Sequence, residues 1–159
     1  ECTIKGNTIE NNGACGIQMY KDCDDNEIIG NTITGNHFDN IFLFAGCDGN
    51  LVKGNEISYS EAGQGIFMNY LSGNSTIIGN DITDNAEEGI KMYQSWYNEI
   101  SGNRVLRNGN YGIDLEYNDD YNTIKNNLAL DNTTYDLYQA STSDYNTWTR
   151  NTYGTSSIN

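Results

Sequence analysis

The sequence predicts an all-β fold: a right-handed, single-stranded parallel β-helix of about six and a half coils, with three short strands per coil. Three observations predict it. A four-residue phrase returns about every 24 residues, two more phrases share that period, and each alternates apolar and polar residues like a half-buried strand. A repeat of this length signifies stacked units, each burying its apolar face against the next.

The first phrase is Gly6-Asn7-Thr8-Ile9. It returns at Gly30–Ile33, Gly54–Ile57, Gly79–Ile82 and Gly102–Val105, then weakly at Asn126–Ala129 and Arg150–Tyr153. Its Asn positions are 24, 24, 25, 23, 24 and 24 residues apart. The second is Asn26-Glu27-Ile28, echoed near Asn50, Ser75, Asn98, Asn122 and Asn146. The third is Gly16-Ile17-Gln18-Met19, echoed near Asn40, Gly65, Gly89, Gly112 and Asp136. Gly, Asn and Asp mark the bends between them. Three strands in so short a repeat cannot close a sheet among themselves, so each pairs with its counterpart in the next coil. Coils stacked about 4.8 Å apart give a rod roughly 30 Å long.

Three apolar columns are expected inside the rod. They are Ile4, Ile28, Val52, Ile77, Ile100 and Ile124; Ile9, Ile33, Ile57, Ile82 and Val105; and Ile17, Ile41, Ile66, Ile90, Ile113 and Leu137. Met19, Met68 and Met92 alternate with outward residues and also fall inside, as packing rather than soft-metal ligands. Asn7, Asn31, Asn55, Asn80, Asn103, Asn127 and Asn151 form an Asn ladder, and Asn26, Asn50, Asn98, Asn122 and Asn146 a second.

Tandem phrases of the form Asn-x-Ile-x-Gly-Asn-x-Ile, with Gly-Ile between, resemble the parallel β-helix repeat family. That resemblance covers almost the whole chain. It implies kinship with carbohydrate-active β-helix domains, with the periplasmic copper-delivery protein of nitrous oxide reduction, and with archaeal cell-surface and sheath proteins. It is specific for fold and says little about function. Uronate lyases and epimerases of this kind typically use clustered His, Arg and Lys, which this sequence lacks.

Charge narrows the partners. Eight basic against 22 acidic residues give −14, a surface that repels nucleic acid and anionic membranes. No stretch approaches the ~18 apolar residues of a membrane span. The chain reads as one β-helix domain over 1–159. It opens in mid-pattern at Glu1-Cys2, as expected of a processed or excised piece.

The cysteines point to an extracellular or cell-envelope location. Cys23 and Cys47 are one coil apart, which suits a disulfide, while Cys2 and Cys15 are left to pair within the chain or between chains. Asn74 and Asn132 head glycosylation sequons. The acidic turn column Asp24, Asp48, Asp120 and Asp144 permits at most weak Ca²⁺ binding, and no other cofactor is expected. At the N-terminal end Ile4 and Ile9 are full core residues with nothing before them to cover the coil.

These features favour a non-enzymatic, self-assembling envelope protein of sheath or surface-layer type, polymerising end to end through solenoid ends and disulfides. The alternative is a carbohydrate-binding or carbohydrate-active domain. Its face would be the Gly-Ile strands, whose outward aromatics Tyr20, Phe42, Phe44, Phe67 and Tyr93 suit a sugar or a partner such as a cell-surface glycan. Its catalytic candidates are Asp114 and Glu116, two apart on one outward face, with Lys91 stacked beside Asp114 and Tyr93 beside Glu116. The same pattern suits a plain cross-strand ion pair. His37, the only histidine, sits in a turn.

Overall fold

The computed structural model describes residues 1–158 and is a right-handed parallel β-solenoid with three sheets of seven strands each. The first sheet begins at Thr3–Lys5 and ends at Thr147–Thr149; the second runs from Thr8–Glu10 to Thr152–Tyr153. The third runs from Ile17–Tyr20 through Ile41–Phe44, Ile66–Asn69, Ile90–Tyr93, Ile113–Leu115 and Leu137–Gln139 to Ser156–Ser157. Every pairing is parallel and joins one coil to the next, in the register of the repeat: Ile4 to Ile28, Ile9 to Ile33, Ile17 to Ile41. No helix of the described residues is long and apolar enough to cross a membrane.

The three apolar columns fill the interior. Ile28, Ile33, Ile41, Val52, Ile57, Ile66, Ile77, Ile82, Ile90, Ile100 and Ile113 are fully buried, as are Met68 and Met92. Branched side chains stacked in register suit this narrow core. Ile4 and Ile9 are half-buried on the first coil.

Both Asn ladders are present, and their bonds run one way. Each side-chain oxygen accepts the backbone N–H at the matching position one coil earlier, as Asn80 Oδ1 does from Asn55 N at 2.9 Å and Asn98 Oδ1 from Ser75 N. Each amide also donates back to a carbonyl at the preceding bend, as Asn80 Nδ2 does to Val52 O at 3.0 Å. Bends leave backbone groups that sheets cannot pair, and the ladder pairs them. A third ladder, absent from the sequence reading, passes through Asn12, Asn36, Asn85, Asn108 and Asn132. Ser60 takes the intervening rung, its N–H donating to Asn85.

That third ladder removes one expected glycosylation site. Asn132 is buried, and its amide donates to Val105 O at 3.1 Å and Asp136 Oδ1 at 2.9 Å. A transferase cannot reach it in the folded chain. Asn74 is exposed.

All four cysteines are free thiols. Cys23 and Cys47 belong to a column of small polar residues continued by Ser72, Ser95, Asp119 and Ser143. Each thiol also reaches carbonyls, and the Cys47 thiol, its pKa raised chiefly by burial, meets that of Cys23. Cys23 Sγ points at Tyr20 O, 3.5 Å away, and Cys47 Sγ at Phe44 O, 3.2 Å away, as the Ser72 hydroxyl does at Asn69 O.

Candidate active site

The outer face of the third sheet carries the chemistry. On its N-terminal half the outward residues are aromatic and stack in register. Tyr20 lies 5.3 Å from Phe44, Phe42 5.3 Å from Phe67, and Phe44 6.2 Å from Tyr70, centroid to centroid. On its C-terminal half Tyr111 stacks on Tyr138 at 4.6 Å, and Tyr135 lies 6.4 Å from Tyr138. Between the two stacks lies a cluster of charges. Tyr93 stacks on Tyr117 at 5.4 Å along one edge.

The cluster centres on Lys91, whose Nζ is 3.0 Å from Glu116 Oε2, 3.8 Å from Glu88 Oε1, and 5.8 Å from the centre of the Phe67 ring. Glu88 is buried. It accepts from Gln64 Nε2 at 2.9 Å and from Asn110 Nδ2 at 2.7 Å. Asp39, one coil before Gln64 and also buried, accepts the Gln64 N–H at 2.9 Å.

Asp114 differs from all of these. Its strand register sets it on the outer face between Lys91 and Tyr138. Yet it is only 1% exposed, and neither carboxyl oxygen has a hydrogen-bond partner. Tyr138, its register partner on the next strand, stacks on Tyr111. Burial lifts its pKa to about 8; the charges of Glu88 and Glu116 add to the rise and Lys91 opposes it. At neutral pH it is a carboxylic acid rather than a carboxylate. Burial also raises Tyr111 and Asp39 above their ordinary ranges. Burial works against the charge of Lys91, but Glu88 and Glu116 outweigh it and hold the ammonium protonated.

The sequence candidates are thus brought together, with two corrections. Asp114 is not solvent-facing, because neighbouring side chains cover it. Lys91 does not pair with Asp114, because its chain reaches past it to Glu116. Glu88, Tyr111 and Asp39 were missed. They stand one residue before the third phrase, in a column with Gln64 between Asp39 and Glu88, where the repeat shows no apolar alternation. Tyr93 joins Tyr117 at the rim.

Other candidates have structural duties. Asp119 is buried with its pKa lifted to about 7, mainly by burial, and it accepts the N–H groups of Ser95 at 2.8 Å and Tyr117 at 3.1 Å. In the acidic turn column Asp24 accepts from Asp48 N, Asp48 from Gly73 N and Asp120 from Asp144 N. Among the described residues no group of three His, Cys, Asp or Glu side chains is placed to hold a metal ion. His37 Nδ1 is 2.9 Å from Glu61 at an exposed turn. An open groove of about 480 Å³ lies elsewhere, lined by Trp96, Tyr97, Asn118, Asp120 and Tyr121.

A family model described as right handed beta helix region matches residues 1–153. Among solved structures, a double mutant of the periplasmic alginate epimerase AlgG is 25% identical with a TM-score of 0.83, over 86% of this chain and 32% of its own. The A-module of the Azotobacter vinelandii mannuronan C-5 epimerase AlgE4 is 16% identical with a TM-score of 0.85, over 94% of this chain and 46% of its own. Pectate lyase Pel9A is 11% identical with a TM-score of 0.70, over 99% of this chain and 55% of its own. The chain therefore spans between 32% and 55% of the length of these structures. No curated protein sequence matches it. These findings overturn the expectation of a non-enzymatic, end-to-end envelope polymer, since the similar folds are epimerases and a lyase.

Proposed function

The chain belongs to the family of right-handed β-helix regions, and on that premise we propose that it is a carbohydrate-active module whose glycan site is the outer face of the third sheet. One observation carries this reading. Asp114 is a buried acid with no partner, set beside an ammonium and two carboxylates and between two aromatic stacks. An unpaired buried polar group costs about 1–3 kcal/mol, and sites that tolerate such a cost are commonly functional.

Each group has a role. Asp114, protonated at neutral pH, is the general acid. Glu116 and Glu88 are the carboxylates from which a base is drawn, and Lys91 holds both in place. The rings of Phe42, Phe67, Tyr111 and Tyr138 receive the apolar faces of sugar rings. The epimerase and lyase folds support this reading, and AlgG, named as periplasmic, supports a secreted or envelope location. The module is one β-helix domain, and the exposed Asn74 is its candidate for glycosylation.

The test is a turnover screen against soluble polysaccharides, followed by Asp114→Asn and Lys91→Met variants. Turnover should fall at least ~100-fold in Asp114→Asn with circular dichroism unchanged, the usual scale for a lost acid or base. Full activity in that variant would refute the assignment.

A further inference from the structure

We infer that the glycan taken by this face is a neutral, hydroxyl-bearing polysaccharide laid along the rod, and that the reaction on it is hydrolysis. This inference rests on the reading of the third sheet as a glycan site.

The argument begins with a charge count at the centre of the face. Asp39, Glu88, Asp114 and Glu116 supply four carboxyl groups against one ammonium, Lys91, already engaged with Glu116 and Glu88. The remaining cations stand elsewhere. Lys5, Lys53 and Lys125 lie on the first sheet, and Arg104 lies on the second. Arg107 is bound to Asp84, Arg150 stands at the bend between Thr147–Thr149 of the first sheet and Thr152–Tyr153 of the second, and Lys21 follows the strand Ile17–Tyr20, three strands from Lys91. His37 is held by Glu61. A uronate carboxylate entering the cluster would meet no free counter-charge.

Hydrogen-bonding chemistry points the same way. A carboxylate only accepts, whereas a hydroxyl both donates and accepts. The groups here call for both: Glu88 and Glu116 accept, while the unpartnered carboxyl of Asp114, protonated, donates through one oxygen and accepts through the other. Sugar hydroxyls satisfy them; a sugar carboxylate is repelled by Glu88 and Glu116.

The aromatic groups give the direction. Phe42 and Phe67 stack along the rod axis on one side of the cluster, and Tyr111 and Tyr138 stack on the other. A chain running parallel to the axis meets an apolar platform, then the charged centre, then a second platform. Rotation of neighbouring side chains opens Asp114 to it, a fast motion for surface groups.

Substrate class selects the reaction. A neutral sugar has no carboxyl group to acidify the adjacent ring C–H, so abstraction of that proton, which epimerisation and elimination require, is disfavoured. Two carboxyl groups, one protonated and one ionised, instead suit glycoside hydrolysis. Asp114 transfers its proton to the glycosidic oxygen as the bond to the anomeric carbon breaks. Water attacks that carbon and yields a proton to Glu116 or Glu88. Returning that proton to Asp114 restores the site, and the net reaction consumes one water and releases one reducing end.

The experiment measures binding and reducing-end release by the full chain on a soluble β-glucan, a galactomannan, alginate and polygalacturonate, with and without calcium. We expect a neutral polysaccharide to bind at least ten-fold more tightly than either polyuronate. Its affinity should fall at least ten-fold in Phe67→Ala, and its reducing-end release should vanish in Asp114→Asn with binding retained. Preferred binding of a polyuronate, with or without calcium, would overturn the substrate class while leaving the glycan site in place. Neutral-glycan binding without reducing-end release would overturn hydrolysis. Binding of none of the four would refute the glycan site itself.

Discussion

Lys91 and Asp114 are register partners on adjacent strands, yet the ammonium bypasses the carboxyl and meets Glu116 at 3.0 Å. An acid is left buried, unpaired and protonated at neutral pH. It is the only buried side chain of the described residues whose oxygens have no partner.

The first prediction is a pH dependence of stability. The Asp114 pKa rises from 3.8 to about 8 on folding. Between those values the unfolded chain has released the proton and the folded chain still holds it. Stability therefore falls as pH rises from about 4 to about 8 and levels off above, an effect on the order of several kcal/mol at one pKa unit per about 1.4 kcal/mol. Asp114→Asn removes this share of the slope. Thermal melts of both proteins from pH 4 to pH 9 check it; parallel slopes would contradict it.

The second concerns the core. Ile66 and Ile90 are fully buried, so Asp at either position places a charge in the apolar column and unfolds the rod, a cost of several kcal/mol or more. Phe67→Asp, on the outward side of the same strand as Ile66, leaves the circular dichroism spectrum native.

The third separates the two buried acids. Asp119 accepts two backbone N–H groups, so Asp119→Ala destabilises by about 1–3 kcal/mol for each donor orphaned. Asp119→Ser is milder, since Ser72, Ser95 and Ser143 fill the same column. Denaturant titration distinguishes them, and equal losses would show that the carboxyl is not a cap.

The fourth concerns the ladders. Asn80→Ala orphans the Asn55 N–H and removes the bonds its amide gives to the Val52 carbonyl and the Asn103 side-chain oxygen at one buried bend. Asn7→Ala acts on an exposed rung with solvent at hand. The urea midpoint falls much further for Asn80→Ala than for Asn7→Ala.

The fold was legible because a solenoid writes its register directly into the period. Ile28 and Ile57 could be placed inside from spacing alone, and Asn55 and Asn80 on one ladder. The outward groups of the site were only half legible. Alternation marks which side of a strand Asp114 occupies, but not that Asp114 is buried there or that Lys91 reaches past it to Glu116. Glu88 and Asp39 sit at a bend, where alternation ends and no period identifies a buried carboxylate.

The one-way bonding of the Asn ladders has a consequence for chain growth. Each bend is completed by an Asn that arrives one coil later, since Asn55 N waits for Asn80 and Asn80 N waits for Asn103. During synthesis the newest coil is always unfinished at its backbone, while older coils are already sealed. Shortening the chain from its C-terminal side exposes peptide N–H groups fixed in the bend. Shortening it from the N-terminal side leaves the ladder N–H groups of the remaining coils paired and frees the Asn side chains, which can rotate toward water, together with strand N–H groups such as those of Glu27 and Thr32. The rod is therefore polar as an assembly, with one end that accepts the next coil and one that does not ask for it.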